Sequence, residues 1–498
     1  MSKRDLEKTV EWEVVAAPIK FGKLQLPKPF VDGITNMVIS RDDEMMLSLV
    51  TEGTLANAGE VAVARRIGRN RVAGTFVEPV DVTFEAHGAT CFLRAYVDDE
   101  PDEIWHTGEG PPRFKQSASV VRFSKKWTQK FEFDPTTQMP RWSPLGDAAW
   151  RSDWYINGPH RPFLRFTDRR RTGAYVRERG DAKLTVLEPP SNGSVRDHFL
   201  IETPAVRFML ARVPDDFAPS WCHATVFEFP NPVPDQETRT AIAELVSFVL
   251  GRRLMPIGST VFDAEGWPLE CEARDPWGQQ IRADCQRGDQ EPIPMGLLSN
   301  DVETVLSRLL PLYLEARHQF ALRDALLTYW LANEGYTGVD LALYGSAVEA
   351  LKLAWFKSTK TKSKGVYLSQ DDFNRLAGDA LSTLEKSLEE GGAPKAVIGK
   401  MRRSFQMTGN EQLTAFFKEL GLPVGPVELA AVRARNAPVH GGLTAGADQK
   451  QLVRDGRAYR CLFERVFLKM IGYAGQYVDR TAPGYPARHI DEPCAGDA

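Results

Sequence analysis

The sequence predicts an α+β protein of several domains: a β-rich sandwich or open barrel first, and an all-α helical bundle last. Three observations predict it. Apolar residues alternate with polar ones in short runs up to about residue 230, the period of half-buried strands. Beyond that point the apolar spacing switches to that of helices. The chain has 498 residues, 43% hydrophobic and 26% charged, enough for about two to four domains of ordinary composition.

The strands follow in order. Val80, Val82, Phe84 and Ala86 alternate with Asp81, Thr83 and Glu85, and Phe131 and Phe133 flank Glu132 in the same way. Comparable runs lie at 45–50, 92–97, 120–123, 198–202, 206–213 and 224–229, separated by Gly, Pro, Asn and Asp clusters. Many short strands with turn signals point to a sandwich or open barrel over residues 1–230. No repeat of propeller or solenoid length is present.

Pro232-Val233-Pro234-Asp235 stops the last strand and offers a helix cap, after which Ile242, Leu245, Val246 and Val249 take helical spacing. Residues 252–298 are turn-rich, so 231–298 is read as a connector of one helix and a hairpin. Residues 299–478 read as a helical domain. Val302, Val305, Leu306 and Leu309 form one apolar stripe, and Leu322, Ala325, Leu326 and Tyr329 the next. Ser369 and Asp372 cap a helix over Phe373 to Leu388, closed by Gly391-Gly392. The last long helix shows Tyr459, Leu462, Phe463, Val466, Met470 and Tyr473. Residues 479–498, rich in Pro and Gly, are expected to be a flexible tail.

Charge and cysteine usage limit the function classes. The net charge of −4 means that any nucleic-acid contact must come from a local patch. Six Cys are scattered without a C-x-x-C pair, and no Cys/His cluster has zinc spacing, so no metal or other cofactor is expected. The absence of a disulfide framework, of an apolar leader and of a membrane-length apolar run points to a cytoplasmic protein with no membrane partner. Walker A, Rossmann, H-E-x-x-H and G-x-S-x-G motifs are missing, which removes the common enzyme classes they mark.

The chemistry concentrates at Arg435-Asn436-Ala437-Pro438-Val439-His440-Gly441-Gly442. An Arg holds a phosphate, and a His moves the proton of an attacking 2′-hydroxyl; together they are the minimum for cutting RNA without a metal. Of the eight His, only His440 has an Arg five positions before it. Five residues on an ideal helix leave the two about 140° apart, too far for one site. Pro438 distorts or ends the helix and Gly441-Gly442 permits a cap, so His440 is expected on a distorted last turn that swings toward Arg435. Asn436 offers hydrogen bonds to the phosphate, the His or the backbone.

Arg435, Asn436, His440 and Gly441, late in a helical domain, resemble the motif of the HEPN superfamily, whose ribonuclease members carry Arg, four to six residues, then His. The stretch from Arg323-Asp324-Ala325-Leu326 to Ser346-Ala347-Val348-Glu349-Ala350-Leu351 is similar to the helix pair preceding the motif in large bacterial members. The resemblance covers about residues 300–478, and the layout, β-rich first and HEPN last, is similar to ApeA-like anti-phage proteins. It implies a metal-independent endoribonuclease that works as a homodimer and leaves a 2′,3′-cyclic phosphate and a 5′-hydroxyl. Arg435, Asn436 and His440 are then catalytic, with Glu349 as a supporting polar residue. The substrate implied is tRNA or other cellular RNA, in antiviral defence or abortive-infection-like, toxin-type growth arrest. The alternative is a non-catalytic HEPN scaffold that binds nucleotide, RNA or a partner protein.

Other candidates have plainer readings. Lys357, Lys360, Lys362 and Lys364 form either a solubilising loop or a landing strip for RNA backbone. The aromatic and basic residues from Trp150 to Arg171 suit base stacking, but read more simply as a strand pair with a charged outer face. Residues 1–230 carry no catalytic signature and are read as a sensing or regulatory domain for a phage or cellular trigger.

Overall fold

The computed structural model describes residues 18–42, 45–55, 78–86, 88–97, 101–105, 111–133, 139–159, 165–167, 174–179, 182–187, 195–213, 222–264, 267–276, 290–295, 301–335, 337–358, 365–435 and 449–496. The chain divides into two units. The first comprises the chain to Gln236 with Arg252–Asp289 and Leu297–Thr304; the second comprises Glu237–Gly251, Gln290–Gly296 and Val305–Ala498. A large antiparallel sheet fills the first and helices dominate the second, an α+β protein as the patterning predicts.

Among the described residues, fourteen strands of the first unit pair into one branched sheet. The branch is the long strand Arg113–Trp127. One of its edges pairs with Leu47–Thr54 and then with Pro268–Arg274, and the other with Glu103–Trp105 and then with Ala89–Val97. Beyond Pro268–Arg274 the sheet continues through Met255–Asp263, Ala148–Ile156, Ala224–Pro230, Arg207–Arg212 and Val195–Glu202 to Arg165–Thr167. The alternation read at 80–86 is present, with Val82 and Phe84 buried between exposed neighbours. Phe21 meets Phe84 edge-on at 5.3 Å and Phe123 at 6.0 Å, so the strands on both sides of the branch share one core.

One expectation changes here. The hairpin Met255–Asp263 with Pro268–Arg274, assigned to a connector, lies within the sheet and links its two wings. The hairpin itself is present as read, and its two strands bury Ile257, Phe262, Cys271 and Ala273. The aromatic and basic stretch begins as a strand, Ala148–Ile156, as its simpler reading has it, with its aromatic residues in the core. Trp150 and Trp154 are buried, Trp154 Nε1 donates to Thr260 Oγ1 at 3.2 Å, and Arg151 pairs with Asp153 at 2.7 Å.

The second unit is built from α1 (Gln236–Leu250), α2 (Asp301–Gln319), α3 (Leu322–Glu334), α4 (Val339–Lys357), α5 (Gln370–Glu390), α6 (Lys395–Arg402), α7 (Gly409–Leu420), α8 (Pro426–Ala434) and α9 (Gln449–Met470). Helix α9 is the central one. Phe248 of α1 packs on its Phe467 with ring centroids 4.4 Å apart, and Tyr329 of α3 stacks on its Phe463 at 4.8 Å. Glu244 of α1 also binds Arg317 of α2 at 2.7 Å and accepts from Tyr313 at 2.8 Å. Helix α1, expected in the connector, is therefore part of the helical body, and a boundary at 299 leaves it out. Local signals hold the ends: Ser369 Oγ accepts from the Asp372 amide at 3.0 Å, and Thr408 with Glu411 forms a full capping box.

Charged groups are also buried around α9. Arg465 pairs with Glu428 of α8, both fully buried, and donates to the Ile490 carbonyl. Glu464 accepts from Arg460 and from the Tyr329 hydroxyl, both at 2.8 Å. The residues after Asp479, expected as a flexible tail, carry the strand Ala487–His489, which pairs with Gln476–Val478, and they bury Ile490 and Cys494. Among the described residues, no helix is long and apolar enough to cross a membrane.

Candidate functional site

Helix α8 delivers Arg435. Pro426 starts the helix at a position where a missing N–H costs nothing, and the Glu428 carboxylate accepts the Gly425 N–H at 2.7 Å. The helix ends at Arg435, still in helical conformation, whose amide donates to Ala431 O at 3.1 Å. The guanidinium turns inward, with the side chain 13% exposed. Its Nη2 lies 2.9 Å from Glu349 Oε1 on α4, and its Nη1 donates to the Tyr459 hydroxyl of α9 at 3.3 Å. The stem lies against Gly345, where a Cβ would stand 3.4 Å from Arg435 Cδ. Nη2 also lies 4.0 Å from where a Cβ of Gly409 would be, at the first residue of α7.

Three helices thus converge on one cation. Glu349 further pairs with the buried Lys352 one turn along α4, so that among the described residues one carboxylate stands between two cations. Burial by itself pushes the Arg435 guanidinium down. The Tyr459 hydroxyl and the Glu349 carboxylate more than offset it, and the group sits above its usual range. Burial raises Tyr459, so its phenol stays neutral and serves Arg435 as an acceptor.

Of the residues singled out in the sequence, Arg435 and Glu349 are brought into direct contact. Asn436 and His440 lie outside the described residues, as do Lys360, Lys362 and Lys364. Lys357 is exposed and ends α4, eight residues beyond Glu349, or about 12 Å along the helix. Two residues of the cluster escape sequence reasoning. Tyr459 reads as one more apolar position of α9, and nothing in the pattern marks its hydroxyl. Lys352 stands three residues after Glu349, an interaction spacing that does flag it as a partner.

A guanidinium fixed on both sides, with more cations than carboxylates among the described residues around it and a helix N-terminus beside it, suits a phosphate or another anion. No family model, curated protein or solved structure matches the chain.

Proposed function

We propose that the chain is a metal-independent endoribonuclease of HEPN type, cutting tRNA or other cellular RNA in prokaryotic anti-phage defence or abortive-infection-like growth arrest. The observation that carries this reading is Arg435, held at the end of α8 by Glu349 and Tyr459 and followed directly by Asn436 and, five positions on, by His440. His440 is the acid/base, Arg435 stabilises charge on the phosphorane-like transition state, and Asn436 orients the phosphate. The 2′-oxygen bonds to phosphorus as the P–O5′ bond breaks. One proton leaves the 2′-hydroxyl and another reaches the departing 5′-oxygen, giving a 2′,3′-cyclic phosphate and a 5′-hydroxyl. Lys357, Lys360, Lys362 and Lys364 guide the RNA backbone, and residues 1–230 hold the activity in check until a phage or cellular trigger binds. The full chain, mixed with total tRNA and rRNA in EDTA, is expected to produce fragments with cyclic phosphate ends. RNA left uncut by folded protein, with every candidate trigger supplied as phage-infected lysate, overturns the nuclease reading.

A second reading has its own support. The Arg435 guanidinium is largely enclosed and already engaged with a carboxylate, as a structural arginine would be. A non-catalytic scaffold binding nucleotide, RNA or a partner protein fits that. Expression separates the two: a nuclease slows growth and Arg435→Ala relieves it, whereas a scaffold leaves growth unchanged in both forms.

In-line cleavage needs both a base and an acid, and a two-fold dimer supplies two His440. The helical unit carries a face suited to a second copy. Helix α5 runs for 21 residues with no buried side chain, and Leu376 and Leu384 are 64% and 47% exposed. A dimer mass is expected from light scattering at micromolar concentration, and a monomer from the double variant Leu376→Glu/Leu384→Glu. A wild-type chain that cuts RNA as a strict monomer would sink the dimer.

A further inference from the structure

Helix α9, the hairpin after it and the final turn gather Cys461, Asp479 and Cys494, whose sulfur and carboxylate donors all lie within 4.8 Å of one another. All three residues are buried, and none belongs to the Arg435 group. We propose that this cluster binds a divalent cation of the zinc type, which fastens the C-terminal segment to α9.

The geometry fits such an ion. Zinc takes sulfur at about 2.3 Å and carboxylate oxygen at about 2.0–2.2 Å, which puts tetrahedral ligands within about 4 Å of one another. The donors are held by partners of their own, as metal ligands commonly are. The Arg480 amide donates to Cys461 Sγ at 3.3 Å. Asp479 Oδ1 accepts from the Thr481 amide at 3.0 Å and its hydroxyl at 2.5 Å, and Oδ2 accepts from the Ala495 amide at 2.8 Å. The Thr481 hydroxyl in turn receives the Gly496 amide at 3.0 Å, so the turn carrying Asp479 and the turn carrying Cys494 orient each other.

The chemistry selects the ion. Two sulfurs favour zinc over magnesium or calcium, and a carboxylate in the set suits a divalent ion better than copper(I). On binding, both thiols release their protons to solvent. Two thiolates and a carboxylate carry three negative charges, of which a divalent cation cancels two. The guanidinium of Arg488, 3.8 Å from Asp479 Oδ2, faces the remainder. Three protein donors leave one position to a water molecule or to the Val478 carbonyl, which lies 3.7 Å from Cys461 Sγ. The three residues are too widely spaced along the chain to register as a metal motif, because the hairpin alone brings them together.

The test uses the full chain, purified under reducing conditions from zinc-supplemented cells, and needs no RNA, so its outcome is separate from that of the nuclease reading. Mass spectrometry of the metal content is expected to find about one zinc per chain. A strong chelator should lower the melting temperature and added zinc chloride should restore it. Cys494→Ser and Asp479→Asn should lose the metal, while Cys222→Ser keeps it. Three results overturn the proposal: wild-type protein that holds no zinc and whose melting does not respond to it; zinc lost equally from Cys222→Ser; or a Cys461–Cys494 disulfide in the chain as purified. The wild-type measurements decide the matter even where a variant fails to fold.

Discussion

Changing His440 to Ala is expected to slow RNA cleavage by about 10²–10⁴-fold, the usual contribution of a positioned acid/base group. Arg435→Ala should cost about 10²–10³-fold, the scale for one charge-stabilising donor at a reacting oxyanion. Arg435→Lys should not rescue it. The guanidinium spans Glu349 and Tyr459 with two different nitrogens, and a single ammonium on a flexible stem cannot hold both and still face a phosphate. Glu349→Gln should lose less than either, because Tyr459 still orients the arginine. Single-turnover cleavage of a labelled tRNA measures all four, with melting curves to establish that the variants fold. Wild-type rates in His440→Ala would remove that residue from the mechanism.

Glu428→Ala is expected to destabilise the helical unit by about 3–5 kcal/mol, the cost of stranding one member of a buried ion pair. Glu428 and Arg465 are both fully buried, and loss of the carboxylate leaves the guanidinium with backbone carbonyls and the face of the Tyr477 ring but no counter-charge of its own. The same carboxylate caps α8 through the Gly425 amide, so the start of the helix that delivers Arg435 loosens too. The melting temperature should fall by roughly 10 °C, given about 2–4 °C per kcal/mol for a body of this size. Glu428→Leu with Arg465→Met should fall less than the single change, since no charge is then left unpaired. Equal losses in single and double variants would show that the pair is not coupled.

Strands and helices were legible where periodicity and end signals agreed. The alternation at 80–86 and the caps at Ser369 and Gly391 report local physics that packing does not alter. Burial of charge was not legible. A pattern reading sends Arg460, Glu464 and Arg465 to the solvent side of α9, whereas partners from α3, α8 and distant backbone let them sit inside. The tail misled for a similar reason: its Pro and Gly suggested a mobile end, and Ile490 and Cys494 find burial only because the hairpin turns the chain back. At the candidate site, the Arg–His spacing identified Arg435 and the resemblance of residues 323–351 to a HEPN helix pair suggested Glu349, but only the fold brings Tyr459 to the same point.

Helix α1 bears on how such a chain can be recombined. The backbone leaves the sheet unit at Gln236, spends one helix inside the other body, and returns at Arg252 before crossing again. Exchange of the first half for another domain by a single junction near residue 299 would discard Phe248 and Glu244, and with them the packing on Phe467 and the partner of Arg317. A junction before residue 236 would instead carry two central strands of the old sheet into the new protein. Neither cut yields two whole parts. Variation in the first half is therefore confined to substitutions and loop changes within a fixed framework, and the two bodies are bound to be inherited together.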